Sequence, residues 1–403
     1  MKNAKTLLRG VRFIPTLLAV TVGILAIIEL VAWMAVPDRY ADPPAVTTEA
    51  WIRSDALASA DTVWMKEFVD EFCRSYNAHW TSYLYFRRDP FTGKHIVVDS
   101  NGIRRTPQPG SPPTHRPLRV FLFGGSTMWG TGARDAGTIP AALAMVISSD
   151  PTLPPAHVVN MGESGYVSTQ CLLRLLLALQ QGNIPDIVVL YDGVNDVFSA
   201  YQNHGAGLPQ NEFHRSLEFN LLKHDGRMIG LGVQDLFSRS LTGTIVTGIG
   251  AMLAPAVPRA PLWEDSIQGI VDVYRGNLAI AEGLSRQFGF RLAAYWQPVV
   301  FSRKNPSPYE RQQSDLMRDM RPVFLAAYAA LGADSSLRDN PSFHNISDLF
   351  DSTGLPVYLD FCHTSELGNA RIARRILEDV GPMMRASSPV NARLAPLSRD
   401  VRR

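Results

Sequence analysis

The chain has 403 residues, 46% of them apolar, enough for one large core or two modest ones. Its 39 basic residues nearly cancel 37 acidic ones, so no overall field draws it to nucleic acid. Three cysteines, Cys73, Cys171 and Cys362, are too few and too irregularly spaced for a disulfide framework.

Residues 1–12 carry Lys2, Lys5, Arg9 and Arg12 and no acid. The next 24 residues, Phe13 to Val36, are almost wholly apolar, with Glu29 the single ionisable side chain. As a helix this stretch reaches about 36 Å, enough to cross a hydrocarbon layer of about 30 Å. A cleaved signal peptide has an apolar region of only about 7–15 residues. The length therefore predicts an uncleaved transmembrane anchor, with cleavage near Ala35 as the alternative. The preceding basic residues predict a cytoplasmic N-terminus. Everything after Pro37 is then expected in a periplasmic or extracellular space.

Residues 37–117 read as a juxtamembrane region. Pro37 to Val46 is a linker with three prolines. Trp64, Phe68, Phe72 and Tyr76 recur every four residues and predict an amphipathic helix capped by Ser54 or Asp55. Tyr83–Arg87 and Ile96–Asp99, separated by Asp89, Pro90 and Gly93, suggest a hairpin. Gln108 to Pro117, with four prolines, leads into the main domain.

That domain is expected over 118–385. Val120–Phe123, Val158–Asn160, Ile187–Leu190 and Arg291–Trp296 read as short buried strands. Helical patterns lie between and after them, at about Ser168–Gln181, Glu310–Leu331 and Ser365–Val380. Buried strands alternating with helices predict an α/β fold with a parallel sheet covered on both faces. Ligands of such sheets bind beyond the carboxyl ends of the strands. Residues about 197–283 form an insertion the sheet does not require. Its charge-free run Leu241–Val257 suits a core or lid helix, or a membrane contact. Residues 386–403, with Pro389, Pro396 and several arginines, read as a flexible basic tail.

The chemistry sits at the strand ends. The first strand runs into Gly124-Gly125-Ser126-Thr127, where small residues permit a tight turn and expose a hydroxyl. The second ends in Asn160-Met161-Gly162-Glu163-Ser164-Gly165, and an amide N–H there can stabilise an oxyanion. The third ends in Tyr191-Asp192-Gly193-Val194-Asn195-Asp196, where the Asn195 amide can donate a further bond. Asp196 fits a structural role through backbone hydrogen bonds. Near the carboxyl end, Asp360-Phe361-Cys362-His363 places a carboxylate within reach of an imidazole. Cys362, beside His363, reads as a small buried residue rather than a nucleophile. Each pattern alone also occurs in ordinary turns.

Together, and in this order, the four blocks resemble those of the SGNH (GDSL-like) hydrolase superfamily over roughly Arg119 to Val380. The eponymous Gly-Asp-Ser reads Gly124-Gly125-Ser126 here, the form of a membrane-anchored bacterial subgroup. Asp99-Ser100-Asn101-Gly102-Ile103-Arg104 also resembles a segment of that subgroup, without an assigned role. The resemblance implies a flavodoxin-like α/β/α sandwich. It implies Ser126 as nucleophile, His363 as base and Asp360 as its partner, and the Ser126 N–H, Gly162 and Asn195 as the oxyanion hole.

The expected activity is a serine esterase working through an acyl-enzyme, with no metal or organic cofactor. Zinc motifs of the His-Glu-x-x-His and Cys-x-x-Cys kinds are absent, as is a phosphate-binding loop. An outward-facing enzyme meets envelope glycans, so the expected substrate is an O-acyl ester of carbohydrate. The alternatives are an O-acetyltransferase using the same triad, and a non-catalytic glycan-binding protein on the same fold.

Overall fold

The computed structural model describes residues 64–110, 116–212, 215 and 263–386, with helical positions 20, 21, 23, 24 and 27. Every strand and helix named below belongs to the second of two compact units, Ala45–Glu212 with Pro261–Arg403. Among the described residues no helix is long and apolar enough to cross a membrane. The expected anchor at 13–36 lies, those five positions apart, outside them. So do the linker 37–46, the helix start at 54–55, the run 241–257 and the tail beyond Ala386.

Five parallel strands form the central sheet: β5 (Leu118–Gly124), β6 (Ala156–Asn160), β7 (Ile187–Asp192), β8 (Arg291–Trp296) and β9 (Phe343–Asn345). All six residues of β7 are buried, as are six of the seven in β5. This accounts for their continuous apolar reading, since helices cover both faces. The spatial order is β6-β5-β7-β8-β9. From β5 the chain steps one way to β6, then back past β5 to β7. The doubly wound expectation holds, and the reversal opens a crevice at the carboxyl ends of β5 and β7.

Helix α3 (Ile139–Ser149) links β5 to β6 and packs on the long final helix α10 (Glu366–Arg385). The Thr138 hydroxyl caps α3 by accepting from the Ala141 N–H at 3.3 Å. Helix α4 (Ser168–Gln180) links β6 to β7. Right-handed crossovers in opposite directions put α3 and α4 on opposite faces. Helix α6 (Trp263–Phe288) packs on α4, on α5 (Val194–Asn203) and on α8 (Arg321–Ala333). Both α5 and α6 contribute buried residues, Val197 and Ala200 from one and Ile270, Val271, Tyr274 and Leu278 from the other. The insertion expected at 197–283 is therefore narrower, because core helices occupy its two ends.

Two further expectations change. The single helix expected over Glu310–Leu331 is two, α7 (Pro308–Leu316) and α8. Pro322 lacks the N–H that a continuous helix needs, and it sits instead in the first turn of α8, where none is required. The hairpin expected between 83–87 and 96–99 is replaced by two small ladders. Strand β1 (Ala78–Thr81) pairs with β2 (Tyr85–Arg88), and β3 (Phe91–Thr92) with β4 (Val97–Val98). Pro90, which has no N–H to donate, separates them.

This N-terminal segment is built into the domain. Met65, Phe68, Val69, Ile96 and Val98 form a small second core with Trp129 and Leu359. Arg104 bridges to Asn160 of β6, and the Gln108 amide exchanges two hydrogen bonds with Val158 at 2.8 and 3.1 Å. The Trp129 indole lies between two guanidiniums, Arg88 at 4.2 Å and Arg104 at 4.3 Å from the ring. Arg104, fully buried, donates to Asp135 Oδ1 (3.0 Å) and to the carbonyls of Trp129, Gly130 and Ala133 (3.2, 2.8 and 2.6 Å). Burial pushes the Arg104 guanidinium down and the Asp135 carboxyl up, each against the pull of the other. The Asp99–Arg104 segment thus has a role, which is to deliver Arg104. Replacing Arg104 by Met should cost about 3–5 kcal/mol in urea unfolding, since a buried carboxylate loses its partner. Arg105→Met, which removes a half-exposed partner of Asp135, should cost less than about 1 kcal/mol.

Candidate active site

Ser126 opens α2 (Ser126–Trp129), one turn of helix placed directly after β5. As the first helical residue its N–H has no intrahelical acceptor. The turn before it is tight. A Cβ on Gly124 would lie 2.5 Å from the Tyr191 carbonyl oxygen, and one on Gly125 would collide with Asn195 Nδ2. The Asn195 amide fills the space that a side chain at position 125 would need.

His363 and Asp360 lie on the loop between β9 and α10. Residues 357–365 fold back on themselves through Leu359 N–H to His363 O and Ser365 N–H to Val357 O, both 2.8 Å. Helix α7 holds this loop from outside. Glu310 Oε1 accepts from Val357 N (2.9 Å) and Tyr358 N (3.1 Å), and the Tyr309 hydroxyl donates to Leu359 O (2.6 Å). Arg303 forms a buried ion pair with the same Glu310. Ser365 caps α10 immediately afterwards.

The structure joins these distant segments in one hydrogen-bonded chain. Asp360 Oδ2 lies 2.6 Å from His363 Nδ1, and His363 Nε2 lies 2.7 Å from Ser126 Oγ. Asp360 Oδ1 accepts the N–H groups of Cys362 (2.9 Å) and His363 (2.7 Å), which fixes the carboxylate plane. Burial pushes Asp360 up. The charge and hydrogen bond of His363 and the two N–H groups outweigh it and hold the carboxyl below the usual range.

Cys362 is buried, and its Sγ is 3.7 Å from His363 Nδ1. Burial raises its thiol far above the ordinary value, so it packs as a small protonated side chain. Asp360, Cys362 and His363 together offer ligand atoms within 4.8 Å of one another. With Nδ1 engaged by Asp360 and the thiol protonated, this donor set serves the imidazole rather than a cation. All three cysteines are free.

Asn195 lies at the start of α5. Its Nδ2 donates to Tyr166 O (2.9 Å) and its Oδ1 accepts from Gln210 Nε2 (3.3 Å), which leaves one amide hydrogen beside Gly125. Asp196 has the structural role expected of it. It accepts from Ser168 N (3.0 Å), Ser168 Oγ (2.5 Å) and Gly193 N (3.2 Å), pinning the start of α4 to the end of β7.

Gly162 departs from expectation. Its N–H is taken by Asn160 Oδ1 at 3.0 Å, and a Cβ there would sit 2.5 Å from the Trp129 backbone nitrogen. It is a packing glycine behind α2. Gly165, three residues on and overlooked in the sequence, has φ +76° and faces the Gln210 amide that meets Asn195. Its N–H has no hydrogen-bond partner among the described residues. The signal was the second glycine of Asn-x-Gly-x-x-Gly, which a left-handed turn requires.

The chain matches no protein-family model and no curated protein. Among solved structures it is similar to an acetylxylan esterase from Geobacillus stearothermophilus, at 15% identity over 66% of this chain and 94% of that one, TM-score 0.34. It is similar also to the acetyl xylan esterase AlAXEase (12%, 65% and 100%, 0.32) and to TesA (14%, 66% and 99%, 0.32). At such scores these likenesses do not bear on the chemistry of this chain, which rests on the geometry above.

Because the folded Asp360 carboxyl is depressed, it contributes stability that is complete above the unfolded value of about 3.9 and is lost as pH falls through the folded value. Urea melts of wild type and Asp360→Asn should stay separated from pH 7 down to about 4 and converge only below it. Convergence already at pH 6 would contradict a depressed carboxyl.

Proposed function

We propose that the chain is a serine esterase of the SGNH type acting on O-acyl esters of carbohydrate outside the cytoplasm. The observation that carries this reading is the unbroken relay from Asp360 through His363 to Ser126 Oγ, with links of 2.6 and 2.7 Å, the second between residues 237 positions apart in sequence. A hydroxyl, an imidazole and a carboxylate in that order are the parts of acyl transfer.

In the first half-reaction Ser126 Oγ bonds to the ester carbonyl carbon while His363 Nε2 takes the hydroxyl proton. Asp360 stabilises the imidazolium. The negative oxygen of the tetrahedral intermediate is received by the Ser126 N–H, the Gly165 N–H and the second hydrogen of Asn195 Nδ2. The bond to the sugar oxygen then breaks, and that oxygen leaves with the proton from Nε2. In the second half-reaction water gives its proton to Nε2 and attacks the acyl carbon. The carboxylic acid departs as Ser126 regains its proton. The substrate class follows from the predicted anchor at 13–36, which would put the site among envelope glycans.

A serine-directed fluorophosphonate should label wild type on Ser126. Ser126→Ala should lower kcat on a chromogenic acetyl ester by about 10⁴-fold or more. Asn195→Ala should lower it by about 10²–10³-fold. Wild-type turnover by Ser126→Ala would end the esterase reading, and an unchanged Asn195→Ala would remove that donor. A periplasm-dependent reporter fused after Arg403 should be active, and cytoplasmic activity of such a fusion would overturn the placement.

A further inference from the structure

The hairpin of β1 and β2 carries side chains that the acyl-transfer chemistry leaves unused. Trp80 is 63% exposed, and Tyr83, in the turn, is 73% exposed. Tyr85 lies against Trp80, with ring centroids 5.3 Å apart and planes 18° apart. In a regular antiparallel ladder directly opposite residues share a face. Here Trp80 is opposite Phe86, and Thr81 is opposite Tyr85. Tyr85 meets Trp80 where the backbone leaves the extended region, with φ +73° at Tyr85 and +67° at Tyr83. Left-handed φ at bulky aromatic residues is strained and persists only where neighbours hold it, as at active sites, ligand clamps and switch regions.

Three anchors hold this one. Gln170 Nε2 donates to Leu84 O (2.9 Å), the Tyr166 hydroxyl to Phe86 O (2.6 Å), and the Tyr85 hydroxyl to Glu212 Oε2 (2.5 Å). Two of these anchors lead to Asn195. The Tyr166 carbonyl receives the Asn195 amide, and Glu212 is two residues from Gln210, which meets the other end of that amide. Tyr85 is thereby tied to the Asn195 side of the candidate site, and Trp80 stacks on Tyr85.

Resting on the carbohydrate-esterase reading, we infer that Trp80, Tyr83 and Tyr85 form a platform for a pyranose ring of the polymer whose ester Ser126 attacks. A pyranose presents C–H groups on its faces and hydroxyls around its rim. An aromatic face is negative and apolar, so it meets the C–H face, while the phenol oxygens and Glu212 are placed to meet hydroxyls. A membrane surface or a protein partner needs apolar area but no fixed ring orientation. Neither accounts for strain at two aromatic residues of one hairpin.

The test uses the full chain in detergent with Ser126→Ala, so that the ester survives, and partially acetylated xylan and glucomannan as probes. Trp80→Ala and Tyr83→Gly should each weaken polymer binding by about tenfold, and Trp80→Phe should retain it within about threefold. Tyr83→Gly should melt no lower than its parent, because glycine relieves the positive φ, so its weaker binding reads ring loss and not misfolding. With Ser126 intact, the same two variants should raise KM for the polymers about tenfold and change kcat less than about threefold. Unchanged affinity and KM in both variants would overturn the platform. So would Trp80-dependent flotation with phosphatidylglycerol vesicles without Trp80-dependent polymer binding. Failure of the underlying reading looks different: wild type would turn over neither polymer.

Discussion

A one-turn helix cannot hold a side chain in place by itself. Four residues are far below the length at which a helix is stable in water, yet α2 must keep Ser126 Oγ at 2.7 Å from an imidazole on another loop. The constraint is met from behind. Arg104 takes the carbonyls of Trp129, Gly130 and Ala133, while Asn160 Nδ2 takes the Trp129 carbonyl again at 3.1 Å. Arg88 also packs against the Trp129 ring, at 4.2 Å. Fixing the far end of so short a helix fixes its first residue. The N-terminal segment is in this sense part of the active site although none of its charged groups touches the triad.

The nucleophile and base sides are also tied to each other. Arg134, just beyond α2, makes a bidentate pair with Glu366 at the start of α10, at 2.9 and 2.7 Å, directly after the Ser365 cap. Leu359, from the His363 loop, fills the space beside Gly132. The two loops are therefore joined by direct contacts. The proposed acyl transfer would require this, since a proton's donor and acceptor must keep distance and angle.

Much of this was legible in the sequence because parallel strands buried on both faces leave unbroken apolar runs, and the chemistry follows each run directly. Ser126 and Asn195 stand out in that way, and the Asp360–His363 pair by its own spacing ahead of a helix. Gly162 was misread because the deciding fact is a side-chain contact. Asn160 curls to accept an N–H two residues on, and spacing cannot show which of two glycines stays available. The strand β9, three residues long, is too short for any pattern. The hairpin pairing went astray because Pro90 acts through a missing donor, which decides partners rather than strand character. The insertion was drawn too wide because α6 covers the sheet with Ile270, Val271, Tyr274 and Leu278, amid enough charge to look dispensable.

The two ends of the sheet have a consequence for how copies of this domain behave together. An edge strand with open N–H and C=O groups is a template for another chain. At β9 that template is only three residues long. At β6 a side-chain amide, Gln108, stands in for a neighbouring strand by satisfying Val158 on both sides. The row of hydrogen-bonding groups is thus quenched at one border and cut short at the other. Among the described residues, the central sheet therefore offers strand addition no long open border from which to start.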